Sequence, residues 1–190
     1  MQKLFLKVCF FVLLLVQLLS AHPHLFVKPS IAVKEIKNNQ IVFKITWEWD
    51  QWWSEDIIRA CDQNKDGILD SKDNKLVYRD FFKNTRNYHY FTWIKLNNEY
   101  KSYVVRDFKA SINERKIVVY EFELEIEFDE STTTKPYKMT VIFNDKSIYT
   151  AFDDKILVND PKGKDNYHNI KFGTQSFYGV KIDFVYSSDK

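Results

Sequence analysis

The stretch Ile41–Cys61, IVFKITWEWDQWWSEDIIRAC, changes its period half-way along. Ile41, Phe43, Ile45, Trp47 and Trp49 alternate with Lys44, Thr46, Glu48 and Asp50, the pattern of a strand with one buried face. Beyond Asp50, Trp53, Ile57 and Cys61 recur at helical spacing. Ser54, Glu55 and Asp56 supply the residue types that begin a helix. A strand-forming chain is thus expected to turn helical at about residue 51.

The helix runs into Asp62-Gln-Asn64-Lys-Asp66-Gly67-Ile68-Leu69-Asp70-Ser71-Lys72-Asp73, which matches the twelve-residue calcium loop of an EF-hand at six template positions. Calcium is a hard cation that takes six to eight oxygens. Asp62, Asn64 and Asp66 would supply side-chain oxygens, Ile68 its backbone carbonyl, and Asp70 a ligand directly or through water. Gly67 permits the sharp turn, and Leu69 is apolar where such loops tuck a residue into the core. The closing position holds Asp73 where glutamate is usual, so the ligand that closes the cage is one methylene shorter. Ser71 opens a second helix in which Leu76, Val77, Asp80 and Phe81 recur every three or four residues. A helix–loop–helix insertion at about 51–86 is therefore expected, with calcium in the loop.

Strand signals flank the insertion. Leu25–Ile36 can pair with Ile41–Asp50 across the polar turn Lys37–Gln40. Tyr88–Ile94 and Tyr100–Phe108 are further candidates. Lys116–Phe128 is the strongest: Val118, Tyr120, Phe122, Leu124, Ile126 and Phe128 alternate with Glu121, Glu123, Glu125 and Glu127, whose carboxylates form a solvated face. Lys138–Asn144 and Val180–Tyr186 alternate again, Ser131–Pro136 reads as a turn and Asp153–Asp165 as a surface loop. The expected fold class is α+β: mainly an antiparallel β-sandwich with an inserted helix–loop–helix carrying the EF-hand-like acidic loop.

Met1–Ala21 reads as a signal peptide. Lys3 and Lys7 precede an apolar run from Val8 to Leu19, and Ser20-Ala21 offers small residues for cleavage. The run is short for a membrane span, so the expected product is a soluble exported protein that does not span the membrane. Its single domain covers residues 22–190. The 28 basic residues of the whole chain balance 26 acidic ones, and no glycine-rich phosphate loop or basic patch points to nucleic acid. Cys61 is the only cysteine beyond the leader. Its helical register with Trp53 and Ile57 makes it a packing thiol, and no histidine is near enough in sequence to activate it.

Cleavage after Ala21 would leave the amino terminus His22-Pro23-His24-Leu25-Phe26. Two imidazoles and a free amine then lie within three residues, a donor set suited to zinc, nickel, cobalt or copper. Pro23 has no N–H, so the amide-bound copper site with histidine third is unavailable; imidazole and amine coordination remain, including a brace through His22. His89, if on a strand with Phe91 and Trp93, either packs among those aromatics or is carried by strand pairing to the terminus as a third ligand. His168 falls in a polar segment read as loop.

These motifs together resemble the periplasmic domain-of-unknown-function family 1007, which includes the ZevA-like proteins. The resemblance lies in His22-Pro23-His24-Leu25-Phe26 after a signal peptide and in a strand ending Trp47 to Asp50. It continues in a Ser54-bearing helix, the acidic loop from Asp62 to Gly67, Tyr90-Phe91-Thr92, and Tyr149-Thr150-Ala151-Phe152. It implies an accessory protein in transition-metal handling that supplies zinc, or nickel or cobalt, to an inner-membrane permease of the nickel/cobalt type. On that resemblance His22 and His24 hold the transported ion, and Asp62, Asn64, Asp66, Asp70 and Asp73 hold a separate hard cation. No catalytic set is visible, so no enzyme is expected. The alternatives are a copper redox protein using His22 as a brace and a calcium-stabilised carbohydrate-binding or adhesion module.

Overall fold

The computed structural model describes residues 24–37, 39–129, 136–147, 149–158, 166–176 and 178–187. The expected leader, His22 and all but Pro136 of the turn expected at Ser131–Pro136 lie outside them. Strand β1 (Leu25–Lys37) and strand β2 (Gln40–Trp49) form an antiparallel hairpin in which Ile31 faces Ile45 and Val33 faces Phe43. The expected alternation of β2 holds along its whole length, with Ile41, Phe43, Ile45, Trp47 and Trp49 buried.

Helix α1 (Gln51–Cys61) follows without a linker, and Asp50 caps it: its carboxylate accepts the Trp53 N–H at 2.8 Å. The helix thus begins at Gln51, where the change of period places it, with Asp50 and not Ser54 as its cap. Asp50 is the last residue of the strand run, and its extended backbone suits a cap. Ser54 sits inside the helix, fully buried. Helix α2 (Ser71–Val77) is capped by Asp70, then loosens into a π-helical turn (Tyr78–Phe82) and 3₁₀ turns (Lys83–Phe91).

Strands β3 (Thr92–Leu96), β4 (Glu99–Lys101), β5 (Val104–Ile112), β6 (Val118–Glu127), β7 (Tyr137–Phe143), β8 (Thr150–Phe152), β9 (Leu157–Val158), β10 (Tyr167–Gln175) and β11 (Gly179–Tyr186) complete the chain. One sheet runs β5-β6-β2-β1-β8 with β9 also on β1; the other runs β10-β11-β7-β3-β4. The protein is therefore α+β, mostly strand, in two sheets. Tyr88–His89–Tyr90–Phe91 is not strand as expected. Pairing begins only at Thr92, because His89, Tyr90 and Phe91 take left-handed angles (φ 54°, 44° and 46°) that no strand accommodates. The segment around His168, read as loop, is the edge strand β10, and the Asp153–Asp165 segment contains the short strand β9.

Both sheets and the insertion contribute to one apolar core. Trp47 packs edge-on against Phe122 at 4.8 Å and lies 5.9 Å from Phe91, while Phe82 stacks on Phe108 at 4.1 Å. A buried hydrogen bond crosses from one sheet to the other: the Tyr167 hydroxyl accepts the Val33 N–H at 2.6 Å. The glutamates of β6 stay on the outer face, where Lys44, Lys34 and Arg106 pair with Glu121, Glu123 and Glu125. Such exposed pairs add little stability.

Candidate metal centres

The acidic loop between α1 and α2 is ordered by its own carboxylates. Asp62, almost fully buried, accepts the N–H groups of Asp66 at 3.2 Å and Gly67 at 3.0 Å, one on each oxygen. Asn64 Oδ1 accepts the Asp66 N–H, Asn64 Nδ2 donates to Asp66 Oδ2, and Asp66 Oδ1 accepts the Ile68 N–H at 2.8 Å. Gly67 takes φ +77°, which a side chain would resist. The Lys116 ammonium stands 3.4 Å from the point a Cβ on Gly67 would occupy, so a cation already faces the loop from the β5–β6 turn. Leu69 is buried as expected and Ile68 is exposed.

Asp70 and Asp73 form a reciprocal capping box. Asp70 accepts the N–H groups of Lys72 and Asp73, and Asp73 accepts the Asp70 N–H at 3.2 Å. Those N–H groups of Asp73 and Lys72 hold the Asp70 carboxyl below its ordinary range. Asn74, unremarked in the sequence, anchors the loop to β5: its amide donates to the Leu69, Asp70 and Ala110 carbonyls and accepts the Ala110 N–H at 2.6 Å. Each carboxylate keeps lone pairs beyond these bonds, and hard oxygen donors suit calcium in chemistry. Among the described residues, no three His, Cys, Asp or Glu side chains converge as a metal cage.

The second candidate centre is the amino end. His24 is exposed; its N–H donates to the Tyr149 carbonyl at 2.9 Å and its ring lies 4.8 Å from the Tyr149 ring. Residues 25–27 then pair in parallel with β8, Leu25 beside Thr150 and Val27 beside Phe152. Asp50 ties the same corner to α1, since its Oδ2 accepts the Phe26 N–H at 2.7 Å and its own N–H donates to the Phe26 carbonyl. Asp145, buried and unflagged in the sequence, shapes the loop that receives His24 by accepting the Ser147 and Thr150 N–H groups and the Ser147 hydroxyl. The Asn144–Ser147 run, a cluster of turn-forming side chains, was its one local signal. Beside this corner opens a cavity of about 320 Å³ lined by Leu25, Trp49, Trp53, Tyr88, Phe91 and Tyr149.

The other histidines lie elsewhere. His89 is exposed in the left-handed turn, with its ring 5.7 Å from that of Trp93. The expected route from His89 to the terminus, through strand pairing, does not exist. The neighbours of β1 are β2, β8 and β9, whereas β3, which follows His89, pairs with β4 and β7 in the other sheet. His168 is exposed on β10, 2.9 Å from the Ser187 hydroxyl. Cys61 is buried. Desolvation, and then the charges of Asp80 and Asp73, push its thiol up to about 11, which makes it a packing group with little thiolate.

An α+β protein of two sheets, with a capped helical insertion that presents an acidic loop, is the class these features define. A family model described as "Protein of unknown function (DUF1007)" matches residues 7–166, and the chain belongs to that family. No curated protein matches it. Among the described residues, no helix is long and apolar enough to cross a membrane.

Proposed function

We propose that the protein is a periplasmic transition-metal-binding accessory, released from its leader after Ala21, which captures zinc, or nickel or cobalt, at His22 and His24 and delivers it to an inner-membrane permease. It binds and hands over the ion without catalysis. Its two sheets close as a sandwich, and the Asp62–Asp73 loop holds calcium as a structural ion in the manner of an EF-hand.

One observation carries this reading. Four of the short motifs through which the chain resembles its family meet at one corner. Leu25 and Phe26 lie on Thr150 and Ala151, Asp50 binds Phe26, and Phe91 and Phe152 both pack on Trp47. His24 leaves that corner facing solvent. The fold fastens the His24 backbone at that corner through its N–H to the Tyr149 carbonyl, and a pre-positioned donor binds an ion with less ordering cost. For the copper-brace alternative, strand pairing does not bring His89 to the amino end, because β3 lies in the other sheet.

Native mass spectrometry of the exported form would give its first residue and its bound ions together. Calorimetric titration with zinc, nickel, cobalt and copper is expected to show tight binding that His22→Ala with His24→Ala abolishes. Unchanged affinity in that double variant would sink the assignment.

A further inference from the structure

A cavity of about 720 Å³ opens where the insertion returns to β3, and its walls are unusual in charge. Arg86, Lys101 and Lys146 line it together with His89, and among the described residues no aspartate or glutamate does. The chain as a whole is nearly balanced, with 28 basic against 26 acidic residues, so three cations gathered without an acid are a local bias. The nearest carboxylate partner is Glu99, which pairs with Lys101 at 2.8 Å from a largely exposed position.

Trp93, Tyr90, Tyr100 and Tyr103 add aromatic rings to the wall. Trp93 has the Lys146 ammonium 5.6 Å from its ring centroid and the His89 ring 5.7 Å away. The left-handed run His89, Tyr90 and Phe91 brings both His89 and Tyr90 to the cavity. This turn is held in place. The Tyr103 hydroxyl reaches the carbonyls of His89 at 2.6 Å and Thr92 at 2.7 Å, Thr92 Oγ1 donates to the Tyr90 carbonyl, and the Asn144 N–H donates to that of Phe91. Non-glycine residues adopt such angles against a steric cost, and runs of them concentrate where a site must be shaped.

We propose that this cavity binds a small ring-bearing anion, a carboxylate or phosphate ester. Arg86, Lys101 and Lys146 meet its charge and the Trp93 and tyrosine rings meet its apolar face. The volume fits one ligand of that size. Ammonium and guanidinium groups give charge-assisted hydrogen bonds to such oxygens, and the same cations repel a metal ion. A nucleic-acid strand would need a basic track that continues beyond the cavity, and the near balance of 28 basic against 26 acidic residues in the whole chain does not favour one. The site is separate from the metal reading: neither His24 nor the acidic loop lines it, so either can fail alone.

The test is an amide chemical-shift titration of the purified full chain with phenyl phosphate and glucose 6-phosphate, with phenol, glucose and inorganic phosphate as controls. Saturable shifts centred on His89, Trp93, Ser102 and Lys146 are expected for at least one ring phosphate, with affinity in the range of about 10 mM or tighter. Which of the two binds better separates an aromatic from a sugar ligand. Lys101→Ala with Lys146→Ala should weaken binding about tenfold or more. The proposal is overturned if neither ring phosphate shifts these amides. It is equally overturned if inorganic phosphate alone reproduces the shifts, or if a single-stranded oligonucleotide binds more tightly than both.

Discussion

The Ser54 hydroxyl accepts the backbone N–H of Val118 at 2.9 Å across 64 residues of sequence, while donating to the Asp50 carbonyl at 2.6 Å. This bond fastens α1 to the first residue of β6, in a place where neither partner meets water. Ser54→Ala would strand the Val118 N–H. The expected loss is about 1–3 kcal/mol, read as a lower urea midpoint with an unchanged slope. A change within error would mean that the hydroxyl has no such role.

Asp50 joins the end of β2, the start of α1 and the amino-terminal strand through one carboxylate. Asp50→Ala should cost about 1–2 kcal/mol as a lost cap and should also free Phe26. Asp50→Asn keeps a single acceptor oxygen and should fall between. Thermal melts would order the three proteins, and the His24 ring signals by NMR should broaden or move only where Phe26 is released.

Acid should weaken the insertion through Asp70. The N–H groups of Asp73 and Lys72 depress its carboxyl in the folded state. A depressed carboxyl stabilises the fold above its unfolded pKa of about 3.9, and that contribution disappears as pH falls through the folded value. Asp70→Ser preserves a capping oxygen that does not titrate. Its stability should therefore decline less steeply than that of the wild type below about pH 4, as measured by urea unfolding at a series of pH values. Identical slopes would exclude Asp70 as a contributor.

Calcium should raise the melting temperature, and chelation should lower it. An ion at about a hundred times its dissociation constant stabilises by about 2.7 kcal/mol. Asp62→Asn with Asp66→Asn should remove the response, and Asp73→Glu should strengthen it by restoring the longer, bidentate ligand. A melting temperature indifferent to calcium in the wild type would leave the loop as a hydrogen-bonded turn.

Cys61 should be silent in the native protein. Its thiol, at the end of α1, is buried and pushed up to about 11, so a disulfide reagent at about pH 8 finds little thiolate. Modification should appear only with unfolding and at its rate. Rapid native labelling would contradict the packing described for α1.

Much of this architecture is written in local patterns. The alternation of Ile41–Trp49 and of Val118–Glu127 gave strand, face and burial together, because side chains on a strand alternate between two environments. The Asp62–Asp73 loop was legible because its turn is built by side chains bonding backbone two to five residues away. The start of α1 at about residue 51 was legible, but Ser54, a residue type frequent at helix starts, is not its cap. Here the Ser54 hydroxyl serves a residue on β6, a partner that no local rule supplies.

The amino-acid sequence by itself determined the periods, the caps and the acidic loop, since each depends on neighbours within a helical turn or one strand. Tertiary structure alone decided that β1 takes β8 and β9 as parallel partners, that His89 lies in a left-handed turn and not on a strand, and that Arg86, Lys101 and Lys146 line one cavity. Those outcomes rest on contacts between distant segments, such as Tyr103 and Asn144 holding the left-handed run at His89–Phe91. The chain accepts the steric cost of that run only because the folded surroundings supply the hydrogen bonds that offset it.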